Sequence, residues 1–335
     1  MMKKLLIALI VIMTVTSCNS FKINVNLENS NEKTVYLQKY DGEQMTNIDS
    51  VVAKNNHAVF KIKQSDYNDA FCIMIKGWRR PLTFFADNQD VMVKGDCQNY
   101  NGINILASET QEKLNNFLNE VNSIEDEQEL HYYVLDFVKQ NIDNPIGAYI
   151  AYRYKWSFTL DDLKNLLHVM PADMQSSYKD LLVKYIKGLQ LTEVGMPFID
   201  FNQKDVNGEE FTLSSVIGKS KIIMLDFWAS WCPDCRKENP NLVAIYDEYK
   251  DRGLDIVSVS FDVNEAAWKK AIEDDNLYWK HHVSDLKGWG NAAADLYTVA
   301  YIPQNIFIDE NGIIIKKNVP TERMKELLDY LISTW

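Results

Sequence analysis

Two thiols stand three residues apart in "DFWASWCPDCRKENP", residues 226–240, and they account for two of only five cysteines in the chain. Three chemistries use such a pair: half of a zinc site, an inert structural disulfide, and a dithiol that opens and closes by exchange. Position bears on the choice. Cys232 follows an apolar run over 221–228 that reads as a buried strand, and it stands where a helix from Pro233 to about Lys250 should begin. At that place the helix dipole and the free N–H groups of the first turn stabilise a thiolate, lowering its pKa from about 8.5 toward about 7 or below. Cys235, one turn further on, shares the face but should lie deeper. The spacing therefore permits a nucleophile, Cys232, that forms a mixed disulfide, and a shielded partner, Cys235, that resolves it.

The choice also depends on compartment. The chain opens "MMKKLLIALIVIMTVTSC", in which Lys3 and Lys4 form a basic start and the apolar core begins at Leu5. That core is about eleven residues, short of the roughly 20 that span a bilayer, and it reads as a secretory signal peptide over 1–17. Val15-Thr16-Ser17-Cys18 resembles a bacterial lipobox, which implies cleavage before Cys18 and acylation of that residue. Several acyl chains would anchor the protein stably, since one alone binds only marginally. An exported chain keeps disulfides, which weakens the zinc reading. With 35 basic against 47 acidic side chains, net charge −12, neither nucleic acid nor a polybasic membrane patch is expected as a partner.

These thiols must be positioned by elements, and 335 residues are more than one domain usually uses. Residues 18–100 carry short runs rich in Val, Ile, Phe and Tyr with Asn, Asp and Gly between, which predicts an antiparallel β sandwich or barrel. If the last three runs form a meander, Cys72 and Cys97 lie too far apart to bridge and remain buried or free thiols. From 105 to 190 apolar residues recur at helical spacing, with Ser108-x-x-Gln111 as a capping box and an end at Gly188. Strand–helix alternation takes over at 194–335, with a hairpin at Asn311-Gly312 and a closing helix over 321–333. That pattern predicts an α/β domain with a mixed sheet.

"LDFWASWCPDC" resembles the active site of the thioredoxin superfamily, and the whole of 194–335 resembles its exported TlpA/ResA-like branch. Pro240 lies where thioredoxins kink the active-site helix. Ile302-Pro303 matches the cis-proline loop that faces the dithiol, and the long gap from Cys235 to Pro303 agrees with the extra β/α insert of that branch. The resemblance implies that Asp226 corresponds to a buried aspartate and Glu238 to a buried glutamate near the resolving thiol. Either could take the proton of Cys235 as it attacks. Trp231, Pro233, Asp234 and Ile302 become the residues that meet substrate, with the Ile302 backbone free to pair with an extended strand. The dipeptide departs from the family: proline comes first here, and Asp234 puts a negative charge beside Cys232. That opposes part of the dipole's effect and leans the pair toward reduction.

Other chemistries fit less well. His281 and His282 are adjacent and suit tetrahedral zinc poorly, so neither metal nor cofactor is expected. A peroxiredoxin-type peroxidase would want threonine where Ala229 stands. Phe227, Trp228 and Trp231 read equally as a recognition surface or as core, whereas Trp268, Trp279 and Trp289 read as packing. The sandwich resembles an N-terminal domain common in Gram-negative lipoproteins and carries no site. The expectation is a periplasm-facing, lipid-anchored thiol–disulfide oxidoreductase that acts on protein disulfides and is recharged by another thiol protein. The competing expectation is a binding lipoprotein whose thioredoxin-like domain is only a scaffold.

Overall fold

The structure, a computed structural model, describes residues 20–40, 45–64 and 69–333. The signal segment and Cys18 lie outside the described residues. The described residues divide into two compact units, one of those up to 152 with 170–180, the other of 153–169 with those from 181 onward.

Among the described residues of the first unit, eight strands form two sheets of four. They are β1 (Ser20–Glu28), β2 (Thr34–Tyr40), β3 (Met45–Val52), β4 (His57–Lys63), β5 (Phe71–Ile75), β6 (Leu82–Phe84), β7 (Val91–Asp96) and β8 (Asn104–Leu106). One sheet runs β4-β1-β7-β8 and the other β3-β2-β5-β6. Strict alternation along β1 turns Phe21, Ile23, Val25 and Leu27 inward, where they share one core with Val35 and Leu37 of β2 and with Phe71, Ile73 and Ile75 of β5.

Two expectations change here. The sandwich is not wholly antiparallel, because β7 lies parallel to β1. The last three strands do not form a meander either: β7 leaves the sheet of β5 and β6 and joins the other, burying Val91 and Val93 beside β1. Cys72 and Cys97 are nonetheless buried thiols, as expected, though the spacing of a meander is not the reason. Cys72 is on β5, with its sulfur 3.4 Å from the Thr83 hydroxyl, and Cys97 follows β7 and donates to the Asn29 carbonyl at 3.0 Å.

Five helices follow: α1 (Glu109–Val121), α2 (Glu127–Gln140), α3 (Pro145–Arg153), α4 (Leu160–Val169) and α5 (Ser177–Leu191). Ser108 caps α1 by accepting from the Gln111 N–H, but the return half of the capping box is not made. The Gln111 carbonyl oxygen instead accepts from the buried Phe85 N–H at 2.8 Å. Helix α5 runs through Gly188 rather than ending there. A Cβ at that position would come within 2.2 Å of Thr298 Oγ1, so only glycine allows this approach.

The second unit holds a sheet of seven strands: β9 (Asn202–Asp205), β10 (Glu210–Thr212), β11 (Ile222–Trp228), β12 (Leu254–Ser260), β13 (His281–Ser284), β14 (Gln304–Asp309) and β15 (Ile314–Lys317). Their order is β10-β9-β13-β12-β11-β14-β15. Strands β11, β12 and β13 are parallel, and the flanking strands antiparallel, which makes the sheet mixed as expected. Every residue of the central β11 is buried, as a strand covered on both faces must be. Around it lie α6 (Pro233–Tyr249), α7 (Glu265–Asp274), α8 (Ala292–Leu296) and α9 (Thr321–Ser333). Among the described residues no helix is long and apolar enough to cross a membrane.

Candidate functional site

The site is built at the C-terminal end of β11, where the chain turns from Trp228 into α6. Cys232 is the N-cap residue of α6, and Pro233 takes the first helical position, where its missing N–H costs nothing. The Cys235 N–H donates to Cys232 Sγ at 3.1 Å, and the two sulfurs are joined in a disulfide. Both residues are buried, Cys235 the more completely. Pro240 sits inside α6, where it interrupts the i→i−4 ladder.

Facing the pair is the loop that enters β14. Ile302–Pro303 is a cis peptide bond, and the Ile302 carbonyl oxygen lies 4.0 Å from Cys232 Sγ. The loop is held along its length: the Ala300 N–H donates to Gln304 Oε1 at 3.1 Å, and Gln304 Nε2 donates to Asn318 Oδ1 at 2.8 Å.

Behind the disulfide is a cavity of about 250 Å³ whose lining includes Cys235, Asp226, Glu238, Trp228 and Pro303. The structure thus brings together the resolving sulfur and both acids singled out from sequence. Asp226 lies on β11 between Ser258 of β12 and Asn305 of β14. Burial pushes its carboxyl up to about 7, against a smaller opposing effect of the Ser258 hydroxyl, which donates to Oδ2 at 2.8 Å. Trp279 Nε1 in turn donates to Ser258 Oγ at 3.0 Å. A carboxyl that titrates near neutrality beside a resolving thiol can accept its proton. Glu238 departs from expectation. It is half-buried rather than sealed, one turn along α6, and its Oε2 accepts from Asn241 at 3.3 Å. Asp234 and Pro233 are exposed in the first turn of the helix.

The tryptophans sort differently from expectation. Phe227 and Trp228 are core. Trp268 and Trp279 are buried packing, as expected, but Trp289 is exposed and lies beside Trp231, ring centroids 6.4 Å apart. His282 is buried against Trp279, its Nε2 2.9 Å from the Leu277 carbonyl, and burial lowers its pKa to about 4, so it is neutral near pH 7. Among the described residues no cluster of His, Cys, Asp or Glu suits a metal ion.

Sequence reasoning missed the groups that brace the turn carrying Cys232. Asp262, just past β12, accepts from the Ser230 N–H at 2.9 Å and from the Ser260 hydroxyl at 2.7 Å. Arg236 makes a two-point contact with Asp275, at 2.7 Å through Nη2, and also donates to the Ser230 carbonyl at 3.2 Å. The Ser230–Asp262 and Arg236–Asp275 pairs join segments remote along the chain, so no local pattern marks them.

Residues 194–317 match the AhpC/TSA family, and residues 21–114 match a domain of unknown function, DUF4369. A thiol–disulfide oxidoreductase ResA of Bacillus cereus is 27% identical over 139 residues, which are 42% of this chain and 77% of that protein. The thioredoxin-like protein YneN of Bacillus subtilis is 35% identical over 130 residues, 38% of this chain and 72% of that one. Among solved structures, the C-terminal domain of a thiol–disulfide oxidoreductase from Bacteroides thetaiotaomicron is 31% identical, covering 43% of this chain and 99% of its own, with a TM-score of 0.40.

Proposed function

The chain belongs to the thioredoxin-like thiol–disulfide oxidoreductases of the AhpC/TSA family, and from that premise we propose that it reduces or isomerises protein disulfides outside the cytosol, anchored through a lipid on Cys18. It is an enzyme of the oxidoreductase class acting on protein thiols, which sets aside the scaffold alternative.

The observation that carries the mechanism is the Cys232–Cys235 disulfide at the start of α6, with the Ile302 carbonyl beside Cys232 and Asp226 near Cys235. In the reducing direction the Cys232 thiolate attacks a substrate disulfide, forms a mixed disulfide and releases one substrate thiolate. Cys235 gives its proton to the Asp226 carboxylate and attacks Cys232 Sγ. The second substrate thiolate leaves, and the Cys232–Cys235 disulfide remains. A separate dithiol protein then restores the thiols by the same exchange run in reverse.

Three acids support a reducing poise. Asp234 in the first turn disfavours the Cys232 thiolate, and Asp226 and Glu238 place carboxyls behind the pair. A less stabilised thiolate makes the disulfide a weaker oxidant, so a potential nearer about −270 mV than about −120 mV is expected. Equilibrating the protein with glutathione and following tryptophan fluorescence measures it. A potential more oxidising than about −180 mV would mean that the helix dipole outweighs the acids and that the protein donates disulfides. The envelope location rests on the basic and apolar start of the chain and on the residues that precede Cys18.

A further inference from the structure

Trp231 and Trp289 come from different loops yet are held by one residue. Trp231 Nε1 donates to the Phe261 carbonyl at 3.2 Å, and the Trp289 ring meets the Phe261 ring edge-on at 4.9 Å between centroids. Phe261 itself is fully buried, and its N–H donates to the Trp228 carbonyl at 2.8 Å, which ties this anchor to the end of β11. Both indoles nonetheless remain half in solvent, Trp231 at 50% and Trp289 at 56%, with Val263 beside them at 70%.

Such exposure is unfavourable for large apolar rings, and here it is imposed by a stiff turn. Trp289 stands between Gly288 and Gly290. Gly288 adopts φ +59°, and a Cβ there would press to 3.1 Å from Val263. The Gly290 N–H donates to the Lys287 carbonyl at 3.0 Å and the Asn291 N–H to the Gly288 carbonyl at 3.1 Å. The buried Asn291 side chain accepts from the Ala293 and Ala294 N–H groups at 3.0 and 3.1 Å and from Gln203 at 2.8 Å, and it donates to the Ser260 carbonyl at 3.2 Å. A turn pinned at so many points does not let Trp289 fold back onto the core. Rigid aromatic rings held out at a reactive centre are the usual anchors of binding surfaces.

We propose that Trp231 and Trp289 form a two-indole clamp that grips an apolar side chain next to the reacting cysteine of an extended polypeptide substrate. The clamp selects such polypeptides over small hydrophilic disulfides. This rests on the oxidoreductase reading and adds a substrate class to it. The patch is continuous with the reaction centre, because Trp231 immediately precedes Cys232, and the Ile302 carbonyl 4.0 Å from the sulfur can align the same strand. The occupant is therefore a substrate chain, one that crosses the disulfide between backbone pairing and aromatic grip.

The test uses the full chain and two disulfide-linked peptides that differ only in a phenylalanine or a serine beside the cysteine. Wild type should prefer the phenylalanine peptide by about tenfold in kcat/KM, mostly through KM, Trp289→Ala should lose that preference, and Trp289→Phe should keep part of it. A merely structural role would slow both peptides alike and leave the ratio intact. An unchanged ratio in Trp289→Ala, or no preference in wild type, would overturn the proposal. So would an oligomer that Trp289→Ala dissociates without altering the preference, which would assign the patch to a second copy. Wild type that reduces neither peptide would sink the oxidoreductase reading, and the proposal with it.

Discussion

Asp226→Asn should stabilise the oxidised protein, by an amount that grows with pH. Burial lifts the Asp226 carboxyl to about 7 from a reference of 3.8. Between those values the folded chain keeps a proton that the unfolded chain has lost, so stability falls as pH rises through the window. The penalty is absent below about pH 4 and complete above about pH 7. A shift of roughly three units at about 1.4 kcal/mol each gives a penalty on the order of 4 kcal/mol. Asparagine keeps the shape and can still accept from Ser258, but its amide introduces two donors into the cavity. A net stabilisation of about 2–4 kcal/mol at pH 8 is therefore expected. Urea unfolding of both oxidised proteins at about pH 4, 6 and 8 measures it. Every other carboxyl is common to the two chains, so the difference between them isolates Asp226. A variant no more stable than wild type at pH 8, or a difference that ignores pH, would refute the assignment of a raised carboxyl at this position. The same substitution should slow the release of the second substrate thiol at pH 7 to 8, since it removes a proton acceptor from the cavity that Cys235 lines.

Two further outcomes follow from the site and a third from the start of the chain. Cys235→Ser should accumulate mixed disulfides on Cys232 that reducing gels resolve, whereas Cys232→Ser should accumulate none; the opposite pattern would exchange the two roles. Asp234→Asn should make the pair more oxidising, but only by about 20 mV or less. An exposed charge acts by at most about 1 kcal/mol, and 30 mV corresponds to about 1.4 kcal/mol. No shift at low ionic strength would remove the electrostatic argument for a reducing poise. Cys18→Ser should abolish palmitate labelling and release the protein from membranes, and a wild-type chain that is soluble and unlabelled would end the lipid-anchor proposal.

Where local chemistry sets local structure, the chain is readable. The run ending at Trp228, the proline after Cys232, the Asn311-Gly312 turn and the closing helix each specify an element through their own neighbours. The readings that change depend on distant partners. Strand β7 alternates no differently from a strand that would stay beside β6, and only its parallel pairing with the distant β1 decides its sheet. Helix α3 falls within the stretch read as helical, but its own period is hidden because Ile146 through Ala151 are all buried, with no polar face among them. Gln111 has the right spacing for a capping box but spends its side chain on Phe85, a group brought near only by the fold. Trp289 reads as packing because nothing in "KGWGN" reveals that its turn is nailed down facing outward.

Phe261 has a consequence for how this surface can change over generations. Its carbonyl fixes one indole and its ring the other. The two tryptophans are thus tied to one position in different ways, because a backbone carbonyl survives any substitution and a ring does not. A lineage that altered its preferred partners could change Phe261 and tilt the Trp289 indole while the Trp231 bond and the sulfur chemistry stay as they are. Among descendants of this chain, substitutions at Phe261 and Trp289 should therefore be inherited together, while Trp231 varies independently of both.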